Sequence, residues 1–125
     1  MASLNPTDSE LEILQVLWRR GPSTVRDVME ELADDRDRVY TTVLKLLQIM
    51  HGKGLVERDD SSRTHVYAPA VGRRTTERAM LADLADRAFE GSAVRLAMRA
   101  LSTKRASPEE LAEVRRLLEE LEGEG

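Results

Sequence analysis

Residues 36–69 constrain the fold of this chain most tightly. Between Arg38 and Lys53, the apolar side chains Val43, Leu46, Leu47 and Met50 recur at helical spacing, while Thr41, Thr42, Lys45 and Gln48 fall on the other side. The spacing predicts a helix with one buried face and one outward face. Gly54 is its expected stop, because glycine takes the left-handed conformation that closes a helix at little cost. Leu55-Val56-Glu57-Arg58 and His65-Val66-Tyr67-Ala68 then read as two strands joined by Asp59-Asp60-Ser61-Ser62. Short hydroxyl, amide and ammonium groups on an outward helix face match the base edges displayed in a DNA groove. A two-stranded ribbon directly after such a helix is a wing. The segment therefore predicts a winged-helix module of the kind that reads DNA.

The flanking segments agree with that expectation. Thr7-Asp8-Ser9-Glu10 has the form of a capping box, in which a hydroxyl and a carboxylate each take the other residue's amide. Leu11, Ile13, Leu14, Leu17 and Trp18 follow as an apolar stripe to about Arg20, and Gly21-Pro22 ends the helix. Ser23 or Thr24 caps a short second helix carrying Val25, Val28, Met29 and Leu32. Three helices and a hairpin, in that order, form a winged helix whose third helix enters the major groove. After Gly72-Arg73-Arg74 the chain is helical almost to its end. Ser107-Pro108-Glu109-Glu110 is a strong helix start, with a capping serine, a proline in the first turn and a returning glutamate. The expected fold is mainly α with a small β-hairpin. A winged helix-turn-helix domain spans residues 1–71, and a C-terminal helical dimerisation arm spans 72–125.

Composition narrows the function classes. Aromatic residues make up only 3% of the 125 residues, so the core must come from Leu, Val, Ile, Ala and Met. A core of that size is commonly completed by a second copy. The absence of cysteine removes disulfides, thiolate zinc sites and thiol redox switches. Neither a membrane-length apolar run nor a secretory leader is visible, so the expected location is the cytoplasm, with no membrane partner. A formal charge of −4 is unusual for a DNA binder. From Arg36 to Tyr67, however, six basic side chains stand against four acidic ones. Such a protein should bind DNA weakly without sequence preference and depend on a few placed contacts and on dimerisation. No glycine-rich phosphate loop, no nucleophile with a base and no metal-ligand pair at helical spacing is present, so neither an enzyme nor a cofactor is expected. His51 and His65 lack a third ligand, and no metal site is assigned.

Several motifs in order resemble the BlaI/MecI penicillinase-repressor family of bacterial transcription regulators. They are Leu4-Asn5-Pro6-Thr7-Asp8-Ser9-Glu10 leading to Leu17-Trp18, Gly21-Pro22-Ser23-Thr24-Val25-Arg26-Asp27-Val28, Tyr40-Thr41-Thr42-Val43, Lys53-Gly54-Leu55-Val56 and Arg63-Thr64-His65-Val66-Tyr67-Ala68-Pro69. The resemblance implies a homodimer that binds palindromic promoter operators and represses transcription. In resistance-operon members a membrane sensor triggers proteolysis of the arm, so a regulatory protease or sensor is a further implied partner. This chain departs from the family in three places. Arg99-Ala100 stands where cleaved members carry Asn-Phe. The cysteine motif of the copper-responsive branch is missing. Ile49 replaces an arginine common shortly before the Lys-Gly pair.

The expected DNA-binding residues are Ser23, Thr24, Arg38, Tyr40, Thr41, Thr42, Lys45, Gln48, Arg63 and His65. Thr42 is suited to a thymine methyl or a base-edge acceptor, and Lys45 to a guanine or a phosphate. Thr41 suits a phosphate near the helix start. Tyr40 either donates to a phosphate or packs at the helix entry. Ser23 and Thr24 cap the second helix, a role compatible with a nearby phosphate. Arg63 and His65 lie on the wing. The expected dimer seam comprises Leu81, Leu84, Phe89, Leu96, Leu101, Leu111, Val114, Leu117, Leu118 and Leu121. Two rivals to the repressor reading are a winged-helix protein-interaction module that does not bind DNA, and a small-molecule sensor. The chain offers the sensor few aromatics and no polar cluster.

Overall fold

The computed structural model describes residues 5–32 and 39–124. Its elements are α1 (Asp8–Arg20), α2 (Val25–Glu31), α3 (Tyr40–Lys53), β1 (Val56–Asp59), β2 (Val66–Pro69), α4 (Arg73–Ala88), α5 (Ala93–Thr103) and α6 (Pro108–Glu124). Two compact units emerge, Met1–Met80 and Leu81–Gly125, with the division inside α4.

In the first unit, local chemistry sets the helix ends. The Thr7 amide donates to Glu10 Oε1 at 2.9 Å, and the Glu10 amide donates to Thr7 Oγ1 at 3.2 Å, completing the expected capping box. Gly21, at φ 91°, turns the chain out of α1 while its amide bonds Leu17 O. Of the two candidate caps for α2, Thr24 takes the role: its side chain accepts from the Asp27 amide at 3.1 Å, and Asp27 returns a bond to the Thr24 amide. At the end of α3, Gly54 is left-handed at φ 82°, the Gly54 amide bonds His51 O, and the Leu55 amide bonds Met50 O. This is a Schellman closure. It explains why β1 starts at Val56, one residue later than the sequence suggests: the Leu55 amide is already committed to closing the helix.

The strands pair antiparallel, with Val56 opposite Pro69 and Arg58 opposite Tyr67. A two-stranded ribbon is marginal alone in water. Here β2 is also held on its other side, where Ser23 and Tyr67 exchange amide–carbonyl bonds of 2.9 and 2.8 Å. Below the ribbon, Ile13, Leu14, Val28, Val43, Leu47, Met50 and Tyr67 are wholly buried. Trp18, expected in the core, sits only partly buried at its edge. Its indole N–H needs an acceptor and finds Val71 O at 2.9 Å, while the Arg73 guanidinium lies 5.4 Å from the ring centre.

Glu10 adds a charged clamp. It is 2% exposed and takes the Lys53 ammonium at 3.0 and 2.8 Å, tying the first turn of α1 to the last turn of α3. Burial alone would raise its carboxyl, but the Lys53 ammonium and the Thr7 backbone amide outweigh it and hold the pKa below the ordinary glutamate range.

The second unit is built differently. Glu90 at φ 52° and Gly91 at φ 80° break the helix after α4, and Ser92 caps α5 through the Arg95 amide at 3.0 Å. Ser107 and Glu110 exchange capping bonds of 2.9 and 3.1 Å at the start of α6. Neither α5 nor α6 buries a single residue. No helix among the described residues is long and apolar enough to cross a membrane.

Replacing Lys53 by Met should cost about 1–3 kcal/mol at neutral pH, because it leaves a buried carboxylate unpaired. The depressed Glu10 pKa contributes stability that is present above the unfolded glutamate value, about 4.3, and lost as pH falls through the lower folded value. The difference between wild type and Lys53→Met should therefore narrow at pH 3. Urea melts of both proteins at pH 7 and pH 3 check this; an equal difference at both would remove the ion pair from the account.

Candidate nucleic-acid interface

The outward face of α3 follows directly from its inward one. With Val43, Leu47 and Met50 wholly buried, the helical repeat places Thr41, Thr42, Lys45 and Gln48 on the surface, and all four are exposed. Beside this face lies an open cleft of about 740 Å³ between the start of α2, the first turns of α3 and the wing. Tyr40, Leu44 and Gln48 line it from α3, Thr24 and Arg26 from α2, and Arg63, Thr64 and His65 from the wing. Tyr40 and Gln48 of the helix and Arg63 and His65 of the wing thus border one concavity.

The charges there differ from those of the neighbouring elements. Arg19 and Arg20 are neutralised by Glu31 and Asp27, Lys53 by Glu10 and Arg58 by Asp60. Among the described arginines and lysines of α1, α2, α3 and the wing, Arg26, Lys45 and Arg63 form no ion pair. Cations left free around a concavity are available to phosphates. His65 is less free: its Nε2 lies 3.5 Å from Asp60 Oδ1, an ion pair only when the ring is protonated. Asp60 also holds Arg58, at 2.8 Å. The Tyr67 hydroxyl beside Arg58 and then the Asp60 carboxylate raise the Arg58 pKa.

The residues expected from sequence fare unequally. Thr24, Tyr40, Gln48, Arg63 and His65 line the cleft, and Thr41, Thr42 and Lys45 share the outward helix face next to it. Arg38 lies outside the described residues. Ser23 requires correction. It is 1% exposed, both of its backbone groups are bonded to Tyr67, and its hydroxyl donates to Gly21 O at 2.8 Å. Its backbone groups hold the wing and its hydroxyl holds the turn after α1, and none faces outward to a ligand.

Arg26 was missed. It stands in the first turn of α2, where the helix dipole disfavours a cation and where Asp27 is the residue that the dipole suits. A cation at the unfavourable end of a helix was the available sign of its place at the cleft wall.

On the arm, Leu81, Leu84, Leu101, Leu111, Leu117, Leu118 and Leu121 are exposed, and Phe89, Leu96 and Val114 are half-buried. Val94 and Met98, absent from the expected seam, are more exposed still, at 68% and 66%. They lie four residues apart on one side of α5.

Comparison with known proteins gives the architecture its family. The model of the penicillinase repressor family matches residues 6–120. The transcriptional regulator BlaI of Mycobacterium tuberculosis is 38% identical over 116 residues, which cover 92% of this chain and 83% of that protein. The penicillinase repressor of Bacillus licheniformis is 24% identical over 114 residues, covering 91% and 89%. Among solved structures, the DNA-binding domain of the repressor BlaI superposes with a TM-score of 0.51 at 24% identity, over 58% of this chain and 88% of that domain, which supports the fold of the first unit. With a wing, an outward polar helix face and a match running through both units, the chain belongs to the penicillinase repressor family, whose members are winged-helix transcriptional repressors and not enzymes.

Proposed function

We propose that the chain acts as a homodimer that represses transcription by binding palindromic promoter operators. Residues 1–71 read the DNA, and residues 72–125 hold two copies together. The observation that carries the reading is the set of free cations, Arg26, Lys45 and Arg63, beside the outward face of α3 in an otherwise acidic molecule.

Each side chain has a role fitted to its chemistry. The third helix enters the major groove, where Thr42 meets a thymine methyl or base-edge acceptor and Lys45 meets a guanine or a phosphate. Gln48 presents an amide beside them. Thr41 and Tyr40 take phosphates near the start of α3, and Arg26, across the cleft, takes another. Arg63 and His65 reach the backbone from the wing. For His65 that contact competes with Asp60. Thr24 contributes by capping α2 at the cleft wall.

Dimerisation follows from the arm's exposed leucines. α5, 11 residues long with none buried, is not stable on local propensity alone, since isolated helices shorter than about 12–15 residues are marginal in water. A second copy laid on Leu101, Leu117, Leu118 and Leu121 would cover that surface. A twofold pair of winged helices then requires an operator with twofold sequence symmetry.

Selection of bound duplexes from a random DNA library, using the full chain at moderate salt, tests the proposal. Recovery of a palindrome with half-sites about one helical turn apart is expected. A folded dimer that recovers nothing would favour a protein-interaction module. On the recovered operator, Lys45→Ala should weaken binding by about 1–3 kcal/mol if the contact is to a base. Arg63→Ala should weaken all sequences alike and lower the salt-dependence slope by about 1. Leu117→Asp should give monomers in sedimentation and lose tight operator binding, because one recognition helix reads too few base pairs; a wild-type monomer at working concentration would refute the dimer.

A further inference from the structure

We propose that Ile49 reads the 5-methyl group of a thymine in the major groove, a base-specific contact beyond those of Thr42 and Lys45. The assignment rests on the operator-binding reading above and deepens it. In α3 the buried apolar residues are completely covered: Val43, Leu47 and Met50 are each 0% exposed. Ile49 is 42% exposed. It lies one turn beyond Lys45 and two turns beyond Thr42, on the outward side of the helix, and next to Gln48. Neither of the usual reasons for an isoleucine applies there. It fills no core, and a β-branched side chain is a weaker helix former than the lysine, glutamine or alanine that an exposed position normally favours.

The surroundings define what it can recognise. Thr41, Thr42, Lys45 and Gln48 can all exchange hydrogen bonds with base edges or phosphates. Ile49 can exchange none. The one apolar feature that a base pair offers in the major groove is the methyl of thymine.

Gly52 supports the same conclusion from an independent direction. It lies one turn beyond Gln48 within α3, its φ is not positive, and a Cβ built on it would meet no protein atom within 4 Å. The fold therefore does not demand glycine at a helical position where glycine is destabilising relative to alanine. What the missing side chain provides is open space beside Ile49, through which a nucleotide can approach the helix closely. The four-residue step from Lys45 to Ile49 spans about 6 Å of helix. At about 3.4 Å per base pair, the thymine stands about two base pairs from the base that Lys45 contacts.

Exchanging thymine for uracil removes the methyl and leaves every hydrogen-bonding group in place. The probe is the selected operator duplex, carrying uracil at one thymine position of each half-site at a time. Equilibrium binding is measured for wild type, Ile49→Ala and Thr42→Ser, with helical content checked by circular dichroism. One position should weaken wild-type binding about fourfold per half-site, the effect of exposing one methyl group. Ile49→Ala should bind the thymine and uracil duplexes equally, and Thr42→Ser should keep the discrimination. A wild type indifferent to uracil at every position would overturn the contact. So would uracil effects that all survive Ile49→Ala, with the only thymine methyl read being one whose effect disappears in Thr42→Ser. Failure to recover any duplex from folded protein would overturn the operator reading and this contact together. Recovery of an operator without an Ile49-dependent uracil effect would overturn this contact alone.

Discussion

The geometry of the cleft beside α3 depends on two backbone hydrogen bonds, those between Ser23 and Tyr67. They make β2 a strand with partners on both sides, and they join the turn before α2 to the ribbon after α3. Without them the wing would be a free hairpin, with Arg63 and His65 at no fixed distance from the recognition helix. The burial of Tyr67 in the core reinforces the joint. Two further ties act at the edges of the same unit. Trp18 holds the chain just after β2 through Val71, and Lys53 holds the end of α3 to the start of α1. Helix, turn and wing are therefore positioned by a few interactions of high sequence separation laid over one apolar core.

The net negative charge loses its apparent conflict with DNA binding once the charges are placed. Arginines of α1 are answered by acids of α2, and Arg58 by Asp60. Within α2, α3 and the wing, the cations left unpaired are Arg26, Lys45 and Arg63, beside the cleft. Such a surface attracts phosphate locally while the rest of the molecule repels it, so discrimination between operator and bulk DNA can be high even where total attraction is modest. The acidic wing tip belongs to the same arrangement, since Asp60 restrains two of the wing's basic groups.

Much of this was legible in the sequence because its causes are local. The capping box at Thr7, the glycine stop at Gly54 and the serine–proline start at Ser107 depend on neighbours within four residues, and each forms as the pattern indicates. The two faces of α3 follow from periodicity alone. Features governed by distant partners were harder to read. Ser23 and Thr24 are chemically equivalent as caps, and only the strand arriving more than forty residues later decides that Ser23 is buried. The one-residue shift of β1 comes from how the preceding helix closes. Trp18 stays at the core's edge because its indole N–H must meet a carbonyl at Val71. For the arm, the leucines are evident in the sequence, but the exposure of Val94 and Met98 needed the backbone, because nothing in the pattern says which side of α5 its neighbours leave uncovered.

The bare helices α5 and α6 carry a consequence for abundance. In the proposed homodimer, a segment that completes its core against the second copy has a folding free energy tied to protein concentration by mass action. Newly made or diluted chains would hold a structured reading head and an unsettled tail, and occupancy of a twofold site would rise roughly as the square of the chain number while monomers dominate. Control by such a repressor would then behave as a threshold in copy number, set by the same leucines that lie exposed in the single chain.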